Sequence, residues 1–362
     1  MDDLSASANG VDNPLGGSNL VPNKGTRKRP LTIREIASET GVSTATVSRV
    51  FNAPERVREH TRNKVLAVID HHHFVSDGLA GSLASRRSHL LGLIIPTITN
   101  SIYALSTQAI QRAAQTAGYT VLIGISEFSA EREAQLVHEF IERRVEGLIL
   151  TGAAREARVY DKITHNGVPF VITWRLARSL GLPSISFDNH LAAARVIDHL
   201  VSLGHRRIGL ICMSTDRNDR ARGRREGFEK RMAKHGLEAD PTLIFERDFE
   251  FVEARAAMHE ALRNPLPPTA MFCASDVLAV GAMYECQQAG YNVPRDISIV
   301  GFDDVPITQY VTPQLTTVRV PATDMGRRAT QELLKAIRGD GIGLGIELPT
   351  DLIIRGSTAP AP

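Results

Sequence analysis

The sequence predicts an all-α unit at the N-terminus followed by a larger α/β domain made of two doubly wound lobes. Three observations carry this reading. Amphipathic helical patterns fill residues 31–71, and from Leu90 short apolar runs alternate with amphipathic helices through Phe302. Charge changes at the same place: residues 24–89 hold 12 Lys/Arg against 6 Asp/Glu, a net of +6, while residues 1–23 carry three acids and no bases and the rest is near neutral.

The first helical stretch is Leu31 to Asn52, LTIREIASETGVSTATVSRVFN. Thr32 followed by Glu35 is a capping box, and Ile33, Ile36 and Ala37 recur at i, i+3, i+4. Gly41 ends that helix. Ser43 is a good N-cap for a second one, which hides Val47, Val50 and Phe51. Thr44, Ala45, Ser48 and Arg49 are left facing out. Short or forked polar side chains on one exposed helical face suit the major groove of DNA, where Arg pairs with two acceptors of guanine. A small helical hairpin with a solvated face fits the same residues.

After the loop Ala53–Val57 a third helix is expected over Arg58–His71, with Val65, Leu66, Val68 and Ile69 as the apolar side that closes a small core. His71, His72 and His73 are adjacent, so on a helix they point in different directions and are not read as a metal site. Residues 1–29 are assigned to a disordered tail, and Gly25-Thr26-Arg27-Lys28-Arg29-Pro30 is a basic lead-in that fits either phosphate contact or a plain solubilising tail. The positive charge thus clusters around the helical pair, where a polyanion needs it.

Composition excludes several classes. No run of about 18 apolar residues is present, so no membrane span is expected. The start MDDLSASANGVDN lacks a basic region followed by an apolar one, so a cytoplasmic protein is expected. Cys212, Cys273 and Cys286 lack metal-ligand spacing and are read as reduced, buried thiols. No cofactor is implied.

Asp77 to Arg87, DGLAGSLASRR, reads as a linker, because Gly78 and Gly81 each cost a helix roughly 1 kcal/mol relative to Ala. Leu79 and Leu83 lie four apart, and if the segment folds on a partner they form an apolar wedge of the kind that opens a minor-groove step. Strands are then expected at Leu90–Pro96, Thr120–Ile125, Gly147–Thr151, Phe170–Thr173 and Ser184–Phe187, with helices at Tyr103–Ala117 and Glu131–Arg144. The rhythm restarts with helices at Leu191–Leu203, Arg222–His235, Phe251–Leu262 and Val277–Ala289, and strands at Arg207–Met213, Thr242–Phe245, Ala270–Cys273 and Ile297–Phe302. No GxGxxG or GxxxxGK[ST] follows a strand, which argues against a dinucleotide or P-loop enzyme. Two such halves bind small molecules in the cleft between them, at the strand ends.

Taken together, the chain resembles the lactose/galactose-repressor (LacI/GalR) family of bacterial transcription factors over residues 31–358. The most specific stretches are TIREIASETGVSTATVSRVFN, LGLIIP at 91–96, VEGLIL at 145–150, GHRRIGLI at 204–211, RGRREGF at 222–228, TAMFCASDVLAVGA at 269–282, VPRDISIVGFDD at 293–304 and TPQLTTV at 312–318. The resemblance implies a helix-turn-helix headpiece over 30–75, a hinge over 76–88, and a two-lobed periplasmic-binding-protein-like domain over 89–360 for effector binding and dimerisation. It implies a non-enzymatic repressor that binds operator DNA as a homodimer and is controlled by a small-molecule effector, a sugar or sugar acid. Thr44, Ala45 and Arg49 would read bases, Thr32, Ser43, Thr46 and Ser48 would contact phosphates, and Leu83 would enter the minor groove.

The residues matching the family's effector site are Tyr103, Trp174, Arg175, Arg220, Arg224, Phe249, Ser275 and Asp303. Aromatic rings suit an apolar sugar or base face, and Asp and Arg suit hydroxyls. The arginine-rich 217–225, RNDRARGRR, hints at an anionic ligand such as a sugar acid. Two departures from the family stand out: Ser76-Asp77 with Gly81 in the hinge, and Arg58 in place of a capping Ser or Thr on the third helix. No leucine heptad follows the α/β domain, which favours a dimer over a tetramer. The alternatives are a solute-binding protein, which predicts an export signal and no headpiece, and an enzyme on a similar scaffold, which needs a phosphate loop or a clustered acid/base set.

Overall fold

The computed structural model describes residues 31–72, 74, 87–216 and 218–362. Leu83, His73 and the N-terminal tail lie outside the described residues. The chain divides into two compact units between Ser85 and Arg86.

In the first unit, helices α1 (Ile33–Thr40), α2 (Thr44–Asn52) and α3 (Glu59–His71) form around a small core. Thr32 caps α1 in a reciprocal box with Glu35, and Gly41 ends it in the left-handed region at φ 66°. That conformation costs an L side chain about 1 kcal/mol or more, so glycine stops the helix there. The Ser43 hydroxyl accepts the Thr46 N–H at 3.1 Å and caps α2, which starts at the next residue. Arg58 gives α3 no side-chain cap, as its residue type requires. Ile36, Val47 and Val65 are fully buried at the centre. Leu66, expected in that core, is instead exposed: the helix turns it about 100° away from Val65, toward solvent.

The second unit holds two six-stranded sheets. The amino lobe contains β1 (Leu90–Ile95), β2 (Thr120–Ile125), β3 (Gly147–Thr151), β4 (Phe170–Thr173), β5 (Ser184–Ser186) and β11 (Ile346–Glu347). The carboxyl lobe contains β6 (Ile208–Cys212), β7 (Ile244–Glu246), β8 (Ala270–Cys273), β9 (Ser298–Asp303), β10 (Thr316–Arg319) and β12 (Asp351–Ile353). Their spatial orders, β2-β1-β3-β4-β5-β11 and β7-β6-β8-β9-β10-β12, are the same arrangement twice. Every pairing is parallel except β10 with β12. Strands covered on both faces read as continuous apolar runs, which is why LLGLII and GLILT are buried nearly throughout.

The chain crosses between lobes three times: after β5, after β10 and after β11. Helix Asn189–Ser202 follows the first crossing and packs on Asp219–Lys234, while helix Ala322–Arg338 returns to pack on Ser101–Thr116. The last helix, the short helix Ala157–His165 and strands β10 to β12 extend the pattern beyond what the sequence predicts. β11 and β12 span two and three residues, too few to show a period, and exist only because distant strands pair with them. Cys212, Cys273 and Cys286 are free and buried. Among the described residues, no helix is long and apolar enough to cross a membrane.

Candidate functional site

Parallel strands deliver their carboxyl ends to one edge of each sheet, and the two edges face each other across a cleft. Non-glycine residues with positive φ gather there: Glu127 and Phe128 after β2, Trp174 after β4, and Asp303 and Asp304 at the end of β9. Such backbone is costly and concentrates at binding sites.

The cleft has two connected compartments, an outer cavity of about 530 Å³ and an inner one of about 30 Å³. Tyr103, Trp174, Arg220, Arg224, Phe249, Ser275 and Asp303 all line the inner compartment. Arg175 does not; it is half-buried, and its charge bears on Glu226 of the opposite lobe.

Tyr103 and Trp174 meet edge to face at 4.9 Å between centroids. Trp174 is also part of the seam between lobes, since its carbonyl accepts the Asn189 amide N–H at 3.0 Å. Asn189 in turn accepts Arg224 Nε at 3.0 Å, and Arg224 Nη1 donates to the Ala274 carbonyl at 2.6 Å. The guanidinium lies 3.8 Å over the Phe302 ring. The Ser275 hydroxyl accepts the Leu278 N–H at 3.4 Å and so is partly committed to capping its helix.

Asp303 is the open group. Its Oδ1 is buried without a hydrogen-bond partner and lies 3.8 Å from Arg224 Nη2. Burial pushes the carboxyl up, with Arg224 and a hydrogen bond from the Asn100 side chain pulling against it. Burial likewise raises the Tyr103 phenol and lowers the Arg224 guanidinium. A buried acceptor without a donor is costly, and a ligand hydroxyl relieves that cost.

Sequence reasoning missed the residue behind Asp303. Asp276, fully buried, accepts the Val305 N–H at 2.9 Å and the Thr317 hydroxyl at 2.5 Å, fixing the turn through Asp303 and Asp304. Burial and the Asp303 charge raise its carboxyl. The available signal was an Asp at the first position of a helix that directly follows a buried strand. Asn100 and Phe128, which also line the inner compartment, were missed because each is an isolated loop or cap residue.

The lobes approach closely at Gly152. Its φ is +72°, and a Cβ there would lie 2.0 Å from Arg220 Nη1. Beside it, the Ala153 N–H donates to Asp219 Oδ2 at 2.7 Å across the cleft.

On the first unit, Thr44, Ala45 and Arg49 are exposed and Ser48 is half-buried, while Val47 and Val50 are buried. Thr32 and Ser43 cap the helices that carry them, and the Ser43 and Thr46 hydroxyls lie 2.9 Å apart. The exposed face is therefore short, polar and backed by a sealed core. His72 pairs with Glu39 at 3.0 Å.

Comparison with known proteins agrees with this division. Residues 32–77 match the model for bacterial regulatory proteins of the lacI family, and residues 197–358 match a periplasmic binding protein-like domain. The HTH-type transcriptional repressor CytR of Escherichia coli K12 is 33% identical over 91% of this chain and 97% of its own. The HTH-type transcriptional regulator MalR of Streptomyces coelicolor is 34% identical over the same shares. The crystal structure of the lac repressor dimer bound to operator and the anti-inducer ONPF superposes with a TM-score of 0.81 at 27% identity, covering 91% of this chain and 100% of that one. The chain belongs to the lacI family of bacterial regulatory proteins.

Proposed function

We propose that this protein is a cytoplasmic transcriptional repressor, a homodimer that binds operator DNA through Thr44, Ala45 and Arg49 and is controlled by a small molecule held between its lobes. The observation that carries the reading is Asp303 Oδ1: a buried, unpartnered acceptor facing a cleft, in a chain that also has an exposed polar recognition helix. Thr32, Ser43, Thr46 and Ser48 flank that helix where phosphates would lie, and Leu83 supplies the minor-groove wedge. The related structures support both halves, one a dimer on operator and another described as a CelR–cellobiose complex.

The inner compartment has room for about one water molecule, so an effector ring enters only when the lobes part. Arg87, where the chain enters the amino lobe, pairs with Glu146 at 2.7 Å and also donates to the Tyr119 hydroxyl. The effector acts by preferring one closure state of the lobes.

The dimer has a candidate face on the carboxyl lobe. Tyr284 is exposed beside a groove lined by Val280, Tyr291 and Val311, and Tyr310 is 81% exposed. A second copy covers apolar area of this kind.

The test is selection of DNA from a random pool by the full chain, followed by gel shifts on the enriched site. A pseudo-palindromic site bound in the nanomolar range, and lost in Arg49→Ala, is the expected result. Binding without sequence preference refutes the reading.

A further inference from the structure

The connection from β9 to β10, residues 304–315, carries much of the apolar face proposed for the dimer. Ile307 and Tyr310 stand exposed on it, and Val311, Thr312 and Pro313 line the groove beside Tyr284. Apolar side chains on a loop serve a partner only if the loop already holds one shape, because ordering it on association costs affinity.

That shape is not built from a strand ladder. The connection contains one 3-10 turn, Pro306–Gln309, and only Val305, Thr308 and Leu315 are buried. Each of these three anchors is tied to a charged group. The Val305 N–H donates to Asp276 Oδ2 at 2.9 Å. The Thr308 hydroxyl donates to the Val305 carbonyl at 2.8 Å, lies 3.2 Å from Asp304 Oδ1 and accepts Arg355 Nη1 at 3.0 Å. The same Arg355 nitrogen donates to the Leu315 carbonyl at 2.8 Å.

Asp304 sits at the centre of this arrangement. Its side chain is 4% exposed, and it takes Arg355 Nη2 at 2.6 Å and Arg319 Nε at 2.7 Å, so three charges from the ends of three chain segments converge on one carboxylate. Its φ of 55° is a strained value for an aspartate, which persists only where the surroundings dictate it. Against the upward push of burial, Arg355 and Arg319 hold the carboxyl below the ordinary range for Asp. A buried ion triad adds little net stability over apolar packing, but it admits one arrangement.

We infer that Asp304 is a positioning residue for dimer assembly: through Arg355, Thr308 and Arg319 it fixes the 304–315 connection in the shape that presents Ile307, Tyr310 and Val311 to a second copy. This deepens the proposed function and rests on the dimer using this face of the carboxyl lobe. A brace that only stabilised the lobe would affect melting and leave association alone.

The experiment is sedimentation velocity on the full chain over a concentration series, with hydrogen exchange of residues 305–314 and melting temperature read on the same samples. Asp304→Asn is expected to weaken dimerisation roughly tenfold or more and to speed exchange in 305–314. Arg319 is 53% exposed, so Arg319→Ala tests the triad in a chain whose core is untouched. It should weaken dimerisation severalfold, and Arg319→Lys should recover part of the loss. Ile163→Ala truncates a fully buried side chain in the amino lobe; it should lower the melting temperature and dimerise as the native chain does. Variants at Asp304 and Arg319 that melt earlier but dimerise like the native chain overturn the inference, as does an equal loss of dimer in Ile163→Ala. Tyr310→Asp separates the two readings. If it weakens the dimer while the Asp304 and Arg319 variants do not, positioning alone is refuted; if it leaves the dimer intact, the face itself is refuted.

Discussion

Asp303 and its sequence neighbour Asp304 point to opposite ends of the protein's business. Asp303 Oδ1 is left without a hydrogen-bond partner at the cleft, 3.8 Å from Arg224, while Asp304 is clamped by Arg355 at 2.6 Å and Arg319 at 2.7 Å. Both have positive φ, so the chain twists between them and their side chains diverge. One carboxylate builds the turn and the other is kept for a ligand.

Asp303→Asn should therefore retain operator binding and lose the response to effector. A hydrogen bond to a charged group contributes about 1.5–3 kcal/mol, so effector affinity should fall roughly ten- to a hundredfold. Titration calorimetry beside operator gel shifts separates the two effects.

Asp303 also predicts a pH dependence of stability. Burial raises its carboxyl to about 6, above the ordinary range for Asp, and Asp276 is raised with it. The unfolded chain ionises these groups first, so folding binds protons and stability falls as pH rises through the raised values. Asp303→Asn removes its share of that loss. Its melting temperature should drop less than that of the native protein between about pH 5 and about pH 7, measured by calorimetry at fixed ionic strength.

Arg49→Ala should cost about 1–3 kcal/mol on the selected site and little on random DNA. Leu83→Ala should likewise weaken specific binding more than non-specific binding, because a wedge works only where the groove opens. Equal losses on both DNAs would remove Leu83 from the interface.

Gly152→Ala should disturb the closed cleft without touching the DNA-reading helix. The left-handed backbone costs alanine about 1–2 kcal/mol, and its methyl collides with Arg220. The expected outcome is a lower melting temperature together with an altered effector affinity. Unchanged values in both would show that the lobes do not meet at this point in solution.

Tyr284→Asp places a charge on the apolar face proposed for the dimer, and light scattering should report a shift toward monomer at micromolar concentration. Operator affinity should fall with it, since a dimer engages two half-sites at once.

Much of this protein is written locally. The capping box at Thr32 and Glu35, the Gly41 stop and the i, i+3, i+4 spacing determine the headpiece helices, because each acts within a turn of chain. The alternation from Leu90 determines a parallel α/β domain, since strands covered on both faces must be apolar throughout. The tertiary structure decided the rest. It alone paired β11 and β12, showed the same strand order in both lobes, and left Arg175 out of the cavity that seven other expected residues line. Of the five arginines in RNDRARGRR, Arg220 pairs with Asp219, Arg224 with Asp303 and Arg225 with Glu246 and Glu229, partners that lie near in space and, apart from Asp219 and Glu229, far along the chain, while Arg217 lies outside the described residues. Charge is a property of residues, whereas free charge is a property of their neighbours, and only folding chooses those.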